Sequence, residues 1–328
     1  MTIYRVALIG AGIIAGNHLD AIGRLQKLTA LAVADTDEAK GRQVAGEYGI
    51  SHYVDYQEMV VKEKPDIVII ALPHYLHESC AVWCARQGCH LLLEKPMALN
   101  AAECDAIIAA ATSSRIKLMI GHTQHYWPAN LQAKELIKSG RLGKLIGIHD
   151  TRHLYYYSDQ RPSWFLDKDK AGGGILMNLG AHSIDKIQWL TDSRVRSVRA
   201  ALSYSGPRGD VEGSGCIFLE TTAHIPAVII QSGYQGVAKD ETELLFTNGM
   251  AKLISAKGLW ISKNGAYEQV QPVLQEDPFV LQFKDLLEAI EADREPDSSG
   301  FYARSVIAAL EAVYSSDEQG GEITVEQE

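Results

Sequence analysis

The chain has 328 residues, 46% of them hydrophobic, and a formal net charge of −10 at pH 7. One hydrophobic core rarely supports this length, so we expect two domains. The acidic balance and the scattered Lys and Arg exclude the clustered basic surface that nucleic-acid binding requires. No apolar run approaches the ~20 residues that span a bilayer, and the first residues lack the pattern of a secretory signal. We therefore expect a cytoplasmic protein with no membrane partner.

The cysteines give a second indication of compartment. They form no C-x-x-C pair, which suits a reducing environment. The five are Cys80, Cys84, Cys89, Cys104 and Cys216. His77, Cys80 and Cys84 share one side of a helix at i, i+3 and i+7, which raises the alternative of a metal-binding face. Buried thiols are common in helix packing and the spacing is not typical of zinc, so we predict no metal.

The first 121 residues alternate short apolar runs with amphipathic stretches. The runs predicted as strands are 4–10, 28–35, 66–73, 90–96 and 116–122. They are too continuously apolar for one-faced antiparallel strands and favour a parallel sheet covered on both faces. The predicted helices are 13–26, 37–48, 55–63, 76–87 and 100–114, the last with Asn100 as its N-cap. This alternation predicts an α/β, doubly wound nucleotide-binding domain.

The pattern changes after Pro128. One helical segment, 128–140, precedes a series of β-type stretches, and two helices close the chain at 278–293 and 301–316. The predicted strands are 144–157, 195–205, 214–221, 226–234, 242–247 and 250–262. Few helices interrupt them, so this second sheet should be mostly antiparallel. We place the domain limits at 1–122 and 123–328.

The first predicted strand runs into "GAGIIAG", where Gly10, Gly12 and Ala15 match G-x-G-x-x-G/A. The first glycine permits a tight turn, the second lets the backbone approach a pyrophosphate, and the third position must be small for packing. Asp35 ends the next strand, where a carboxylate binds ribose hydroxyls. Arg42 is the nearest downstream arginine, so we expect NAD, with NADP less favoured. The alternative is a tight turn with Asp35 as a helix cap.

A lysine follows another buried strand in "LLLEKPM". Glu94 and Lys95 stand at its carboxyl end, and ligands bind at such ends in open α/β sheets. The Lys95 ammonium can stabilise negative charge that develops on a substrate oxygen. A surface pair between Glu94 and Lys95 before a turn-forming proline is an equally good reading of these residues alone.

The segment "GGGILMNLGAH" puts three glycines before an apolar run. Glycines at 172–174 allow close approach of the backbone to a neighbour or a ligand. Asn178 and His182 are i and i+4 and share one helix face, and Asp185 follows three residues later. Taken alone, such a histidine is more often a core residue than a catalyst. Lys95 and the glycine fingerprint reverse this preference.

The segment 151–167 concentrates aromatic and hydrogen-bonding side chains just before the glycines. Tyr and Trp faces stack on the C–H faces of sugars, and Arg binds hydroxyls or a carboxylate. We predict a substrate wall or lid containing His153, Tyr156, Arg161 and Trp164. An aromatic sheet edge or a subunit interface is the alternative.

Together, these motifs resemble the Gfo/Idh/MocA family of nicotinamide-dependent oxidoreductases. The resemblance covers nearly the whole chain and rests on "GAGIIAGNH", "ALPHYLHE", "EKPMA", "AGGGILMNLGAHSID" and the closing helical stretch. It implies an N-terminal NAD(P)-binding Rossmann domain with a doubly wound parallel sheet. It also implies a C-terminal α+β domain with a mostly antiparallel open sheet, which binds substrate and commonly mediates homodimers or homotetramers.

The resemblance also implies roles for individual residues. Lys95 would contact both substrate and nicotinamide, and His182 would be the catalytic acid/base. Leu72, Pro73 and His77 match a loop that lies along the cofactor, although capping or core packing is as good an explanation of His77. The remaining cofactor contacts expected from the matching motifs are Ile13, Ile14 and Glu94.

Two positions depart from the family pattern. The inositol dehydrogenase pattern has an aspartate where this chain has Asn178, while some other branches carry asparagine. An amide orients a hydroxyl or His182 but takes up no proton at neutral pH, so we expect an orienting role. His125 stands where many relatives have arginine, and we expect it to affect substrate recognition.

The sequence therefore predicts an oxidoreductase that transfers hydride between a nicotinamide cofactor and a secondary alcohol of a sugar, cyclitol or related polyol. One alternative is a catalytically silent dinucleotide-binding regulator or sensor on the same scaffold. Another is an enzyme that retains its cofactor and recycles it through a transient keto-sugar.

Overall fold

The computed structural model describes residues 2–255, 257–272 and 276–326. The chain divides into two compact units. The first comprises Met1–Thr123 and Glu276–Arg304, and the second comprises Gln124–Gln275 and Ser305–Glu328. Among the described residues, we find no helix with both the length and the apolar character needed to cross a membrane.

The first unit is built on a parallel sheet of six strands in the order β3-β2-β1-β4-β5-β6. The strands are β1 Tyr4–Ile9, β2 Leu28–Ala34, β3 Ser51–Tyr53, β4 Ile67–Ile70, β5 His90–Leu93 and β6 Leu118–Ile120. The helices are α1 Ile13–Gly23, α2 Glu38–Tyr48, α3 Tyr56–Glu63, α4 His77–Arg86, α5 Ala101–Ser114 and, late in the chain, α9 Pro278–Glu291. This confirms the predicted doubly wound domain.

Local sequence explains most of these elements. Every residue of β4 is buried, as expected for a strand that is covered on both faces. The Asn100 side chain caps α5 by accepting a 2.9 Å hydrogen bond from the Glu103 backbone N–H. The short edge strand β3 was not predicted, because "SHY" has no continuous apolar run.

Residues 276–304 belong to the first unit by their contacts, although the sequence placed them after the domain boundary. Phe283 of α9 is buried in one core with Leu19 and Ile22 of α1. Ser298 hydrogen-bonds to the backbone of Ile120 beside β6. The apolar face of α9 thus covers α1, which sequence order does not show. The limits 1–122 and 123–328 remain a prediction for the functional domains.

The second unit contains a sheet of nine strands in the order β14-β13-β12-β11-β7-β10-β9-β8-β15. The strands are β7 Leu145–His153, β8 Val195–Ser203, β9 Ser214–Thr221, β10 Pro226–Ser232, β11 Lys239–Phe246, β12 Gly249–Ile254, β13 Gly258–Lys263, β14 Ala266–Gln269 and β15 Ile323–Thr324. In the described part of the chain, β7 and β10 are the one parallel pair of this sheet. The mostly antiparallel prediction is therefore confirmed.

The helices of the second unit are α6 Pro128–Ser139, α7 Lys168–Ala171 and α8 Ala181–Thr191, and α10 Gly300–Gln319 lies largely in it. The predicted strand 250–262 is wrong, since β12 and β13 form a hairpin there. Lys257 N–H bonds to Ile254 O in the turn, and Gly258 follows with φ +134°. Residue 256 of that prediction lies outside the described residues. The strands β14 and β15 were not predicted.

Candidate active site

Three parallel strands of the first unit end side by side. Ile9 pairs with Ile70, and Ile70 pairs with Leu93, so the segments that follow leave the sheet at one edge. Gly10 adopts φ +101°, and a Cβ on it would lie 2.3 Å from Ala71 O. Only glycine fits there. The first glycine of the fingerprint thus makes the tight turn that the sequence predicts.

The start of α1 is open to a ligand. Gly12 precedes the helix, and a Cβ built on it meets no atom within 4 Å. Ile13 is 97% exposed, which is unusual for a large apolar side chain, and Ile14 is half-buried. The first backbone N–H groups of a helix bind anions such as pyrophosphate. This geometry fits a dinucleotide that covers Ile13 and brings its pyrophosphate close to Gly12.

Asp35 links the end of β2 to the glycine turn. Its Oδ2 accepts a 2.7 Å hydrogen bond from the Ala11 N–H, and its Oδ1 accepts one of 2.8 Å from the Asp37 N–H. Each oxygen keeps a lone pair for a ribose hydroxyl. Arg42 pairs with Glu38 at 2.5 Å. The acidic surroundings repel a 2′-phosphate and fit NAD better than NADP.

Glu94 is anchored inside the first unit. His18 Nε2 lies 2.8 Å from Glu94 Oε1, and a Cβ on Gly121 would come within 2.9 Å of the carboxyl group. Burial alone would raise the pKa of Glu94, but the His18 hydrogen bond and the Lys95 charge outweigh it and lower the pKa. Glu94 thus fixes the end of β5 immediately before the half-buried Lys95. Its predicted contact with the cofactor remains a prediction.

The buried His77 side chain connects the segments that follow β4 and β5, which are expected to lie along the cofactor. Its Nδ1 lies 2.9 Å from Pro96 O and its Nε2 lies 2.8 Å from Leu72 O, while Leu72 and Pro73 are half-buried. Burial lowers the pKa of His77, and the neutral ring has one N–H to donate. The ring is fully buried, so the packing interpretation fits and direct cofactor contact by the ring does not.

Within the described residues, nothing supports the alternative of a metal-binding face on α4. Cys80 and Cys84 are buried with His77 on α4. Across the described residues, no three His, Cys, Asp or Glu side chains are grouped so that they could hold a metal ion.

The triple glycine of the second unit lies against the Tyr314 side chain and the Glu212 backbone. Gly172 ends α7 with φ +79°. A Cβ on Gly173 would lie 2.0 Å from Tyr314 Oη, and one on Gly174 would lie 2.1 Å from Glu212 O. These glycines therefore allow close packing of the protein on itself at this point.

Glu212 holds the start of the helix that carries the candidate catalytic residues. Its carboxylate accepts hydrogen bonds from the N–H of Gly174 at 2.7 Å, the N–H of Leu176 at 2.8 Å and the hydroxyl of Tyr314 at 3.1 Å. Its carbonyl accepts a bond from the Ile175 N–H. Glu212 is 1% exposed, and burial raises its pKa. The sequence reading missed this residue, because it is remote from the glycines in the chain.

Asn178 and His182 are both half-exposed, with Asn178 in a π-helical turn and His182 in the first turn of α8. The sequence predicted a regular helix, and the wider turn over Leu176–Gly180 corrects it. Such turns are common at functional sites. The Asn178 side chain hydrogen-bonds to the Tyr156 hydroxyl, which also donates to Gly174 O at 3.3 Å. Asn178 is thus held in one orientation.

His125 lies in a buried cluster behind His182. Its Nε2 is 2.8 Å from Asp185 Oδ1, and its ring stacks on Trp189 with centroids 4.9 Å apart. Gln124 donates to the Asp185 carboxylate and, at 2.7 Å, to the backbone carbonyl of His182. Neither His125 nor Asp185 is exposed, so the predicted direct substrate contact through His125 does not fit. The cluster supports the backbone of His182 instead.

The four residues of 151–167 that are predicted to form the substrate wall occupy different environments. Tyr156 is fully buried, and burial raises its pKa to about 12. The Arg161 guanidinium lies 3.8 Å from the centroid of the Tyr156 ring, and its Nε donates to Tyr156 O. Trp164 stacks on Phe165 and is half-exposed, as is His153 at the end of β7. Arg161, Trp164 and His153 are therefore available to a ligand, whereas the buried Tyr156 holds Arg161 through its ring and its carbonyl.

A buried ionic network anchors α8 to the sheet. Lys186 Nζ lies 3.2 Å from Asp150 Oδ1 and 2.9 Å from Thr242 Oγ1. Ser183 donates to the Asp150 carboxylate and accepts from Gln231 Nε2. Burial alone would raise the pKa of Asp150, but the charges of Lys186 and Arg152 and the hydroxyl hydrogen bonds together outweigh it and lower the pKa. The sequence reading missed this network, because its members come from four separate elements.

Comparison with known proteins identifies the family of both parts of the chain. Residues 4–122 match the family model described as an oxidoreductase family with an NAD-binding Rossmann fold. Residues 130–252 match the GFO/IDH/MocA C-terminal domain.

Two curated relatives are similar over part of their length. A 1-carboxy-3-chloro-3,4-dihydroxycyclohexa-1,5-diene dehydrogenase from Comamonas testosteroni is 27% identical over 72% of this chain and 60% of its own. Inositol 2-dehydrogenase 1 from Saccharopolyspora erythraea is 26% identical over 67% of this chain and 65% of its own. The matched regions thus span less than two thirds of these relatives.

A solved structure, levoglucosan dehydrogenase in complex with NADH, has a TM-score of 0.91 and 20% identity over 99% of this chain and 100% of that one. At this identity, the likeness shows a shared fold. The two family models match consecutive parts of the chain, residues 4–122 and 130–252. The chain therefore belongs to the GFO/IDH/MocA family of oxidoreductases and has an NAD-binding Rossmann domain at its N-terminus.

Proposed function

We propose that this protein is an NAD-dependent dehydrogenase that acts on a secondary alcohol of a sugar, cyclitol or related polyol. The observation that carries the proposal is the firmly held helix start that presents Asn178 and His182, half-exposed, above Tyr156. The names of the two curated relatives describe hydroxyl-bearing six-membered rings, which supports this substrate class.

The bound NAD supplies a nicotinamide ring that accepts hydride. In the proposal, the backbone N–H groups after Gly12 bind the pyrophosphate, and Asp35 accepts hydrogen bonds from the adenosine ribose. Apolar contacts come from Ile13 and Ile14. Leu72, Pro73 and Glu94 are the further proposed contacts at the strand ends, and His77 positions Leu72.

His182 is the proposed general base, which removes the proton of the reacting hydroxyl. The Lys95 ammonium stabilises the negative charge on the substrate oxygen. Asn178 orients the substrate hydroxyl through its amide, because it cannot accept a proton at neutral pH. His153, Arg161 and Trp164 contact the ring and its hydroxyls.

We also propose that the protein forms a homodimer or homotetramer through the sheet of the second unit. The side chains of β9 alternate between buried and exposed: Ile217 and Leu219 are buried, and Phe218 is 51% exposed. Val228, directly opposite Phe218 in β10, is also exposed, as is Ile146 in β7. A second copy of this face would cover these side chains. Among the described residues, the five cysteines form no disulfide bond, which supports a reducing compartment and a cytoplasmic location.

A panel of sugars and cyclitols, monitored for formation of reduced nicotinamide, tests the activity. We expect turnover of at least one polyol by the wild type. His182→Ala and Lys95→Ala should each lower kcat by about 100-fold or more, the usual size of acid/base and electrostatic contributions. His224→Ala, an exposed histidine beside Glu220, is the matched control and should retain activity.

NAD binding without turnover of any polyol would contradict the proposal and favour the regulator. Reduced-nicotinamide absorbance in the purified protein would indicate a retained, recycled cofactor instead. Light scattering of Phe218→Glu tests the assembly, since a charge on this face should lower the molar mass in solution. An unchanged mass would contradict the proposed interface.

A further inference from the structure

Two arginines bind adjacent carbonyl groups of the substrate wall. Arg161 Nε donates to Tyr156 O, and Arg208 Nη2 donates to Ser158 O and, at 3.5 Å, to Tyr157 O. Both guanidinium groups thus lie along one stretch of three residues. Arg208 comes from the loop that connects β8 and β9, so the sequence reading of 151–167 did not include it.

The loop that carries Arg208 is packed tightly onto the wall. A Cβ on Gly206 would lie 2.3 Å from Tyr157 Oη. Gly209 has φ +80°, and a Cβ on it would lie 2.3 Å from Leu166 O. Glycines on both sides therefore hold the loop against the wall, and Arg208 is fixed between them. The pair of guanidinium groups is a built feature of the second unit.

In the part of the chain that the structure describes, the two positive charges lack an acidic partner. Among the described residues, neither Arg161 nor Arg208 forms an ion pair. The neighbouring acids are committed elsewhere or exposed: Asp167 pairs with Lys170, Asp210 accepts from the Lys168 backbone, Glu212 holds the glycine segment, and Asp159 is exposed. Burial lowers the pKa of Arg161, and the charge of Arg208 adds to this effect. An anion between or beside them would remove this electrostatic cost.

The pair lies close to the candidate catalytic helix. Arg161 stacks on the ring of Tyr156, and the hydroxyl of that ring hydrogen-bonds to Asn178. The guanidinium group thus lies over the Tyr156 ring, and the Asn178 amide lies at the hydroxyl end of the same ring. A six-membered substrate can thus place one substituent at Arg161 while a ring hydroxyl reaches Asn178.

We propose that Arg161, assisted by Arg208, selects substrates that carry an anionic substituent on the ring, and that this substituent is a carboxylate. The substrate class is then a sugar acid or cyclitol acid rather than a neutral sugar. This inference rests on the proposed dehydrogenase function. The planar Arg161 fork matches a carboxylate, while a phosphate shares the same charge and is separated by experiment.

The experiment compares matched ligands in gluco, galacto and manno configurations. Each set contains the uronate, its methyl ester, the neutral aldose and the sugar 6-phosphate. With saturating NAD, we expect kcat/KM for the best uronate to exceed that of its ester by about 10- to 100-fold, as charged hydrogen bonds contribute. The difference should lie mainly in KM. A preference for the sugar phosphate would support an anion site but would overturn the proposal that the selected group is a carboxylate.

Variants that remove a charge test which side chain causes the preference for the uronate over its ester. Arg161→Gln should reduce the preference for uronate over ester to near parity, and Arg208→Gln should reduce it partly. Arg161→Lys should retain part of it, because the charge remains but the planar fork is lost. Lys168→Gln, an exposed lysine of the same segment, is the matched control and should leave the preference unchanged. Equal loss in Lys168→Gln would show a general charge effect and overturn the assignment.

A binding measurement separates this inference from the proposed function. Calorimetry of the NAD-loaded protein measures uronate and ester affinity without turnover. If no ligand is oxidised but uronates bind more tightly than esters through Arg161, the dehydrogenase proposal fails and the anion site stands. If an ester or a neutral aldose is turned over as well as its uronate, or if no uronate is turned over or bound in any configuration, the anion site is overturned.

Discussion

The Glu212 carboxylate accepts a 2.7 Å hydrogen bond from the backbone N–H of Gly174. This bond and its partner from Leu176 satisfy two amides at the start of the segment that carries Asn178 and His182. The first amides of a helix have no partner within the helix, so an acceptor from elsewhere must supply one. Glu212 therefore links the position of the candidate catalytic residues to the second unit's core.

Glu212→Ala should destabilise the protein by about 2–4 kcal/mol, because buried N–H groups lose their acceptors. Amide hydrogen exchange at 174–176 should accelerate at the same time. Chemical denaturation and exchange mass spectrometry measure the two effects. Glu268→Ala, which removes an exposed ion pair with Lys263, is the control and should cost at most about 1 kcal/mol. Unchanged exchange at 174–176 would show that the carboxylate does not hold this segment.

The titration of Glu212 gives stability a defined pH dependence. Burial raises the pKa of Glu212 above its ordinary value of 4.5 in the folded state. Between 4.5 and the raised pKa, the folded chain holds more protons than the unfolded chain, so the contribution of this group to stability falls as pH rises. The free energy of unfolding of the wild type, minus that of Glu212→Gln, should therefore decrease with pH across this window. A constant difference would contradict the raised pKa.

The sequence was sufficient for the elements whose patterns are local. Continuous apolar runs identified five strands of the parallel sheet, and the change after Pro128 located the second unit. Short or edge strands such as β3 and β15 have too few residues to show a pattern. The packing of α9 in the first unit could not be predicted, because the apolar face of a helix does not identify the helix that it covers.

The site divides in the same way. Gly10, Gly12 and Asp35 were predicted from spacing, since a tight turn and a ribose acceptor demand particular residue types. Glu212 and Arg208 were missed, because their partners lie far away in the chain. The burial of His125 and Tyr156 could not be read from residue type, since either side chain suits a substrate wall or a packed interior.

The two fingerprint glycines should respond differently to substitution. Gly10→Ala should destabilise the first unit by at least about 1 kcal/mol, because φ is +101° and the new Cβ would meet Ala71 O. Gly12→Val should leave unfolding almost unchanged, since its Cβ position is open in the protein alone. It should nevertheless weaken NAD binding by about tenfold or more, because the backbone must approach the pyrophosphate closely. Thermal unfolding and calorimetric titration with NAD measure this contrast. Normal NAD affinity in Gly12→Val would contradict the proposed position of the cofactor.

The buried pair of Lys186 and Asp150 should show strong coupling. Lys186→Met leaves the Asp150 carboxylate buried without its cation, and we expect a loss of about 3–5 kcal/mol. Asp150→Asn should also destabilise, because Lys186 then keeps only neutral partners. The double variant should lose less than the sum of the two single variants, since neither charge remains unpaired. A double-mutant cycle by denaturation tests this. Additive losses would indicate that the ion pair contributes little to anchoring α8.

Asn178→Asp should change the pH dependence of the reaction rather than merely its rate. The new carboxylate would lie one turn before His182 on the same face and would favour the protonated imidazole. If His182 is the general base, the acidic limb of the kcat/KM profile should move to higher pH by about one unit. Asn178→Ala removes the amide without adding charge and should lower kcat without moving the limb. An unmoved limb in Asn178→Asp, with activity retained, would mean that a group other than His182 accepts the substrate proton.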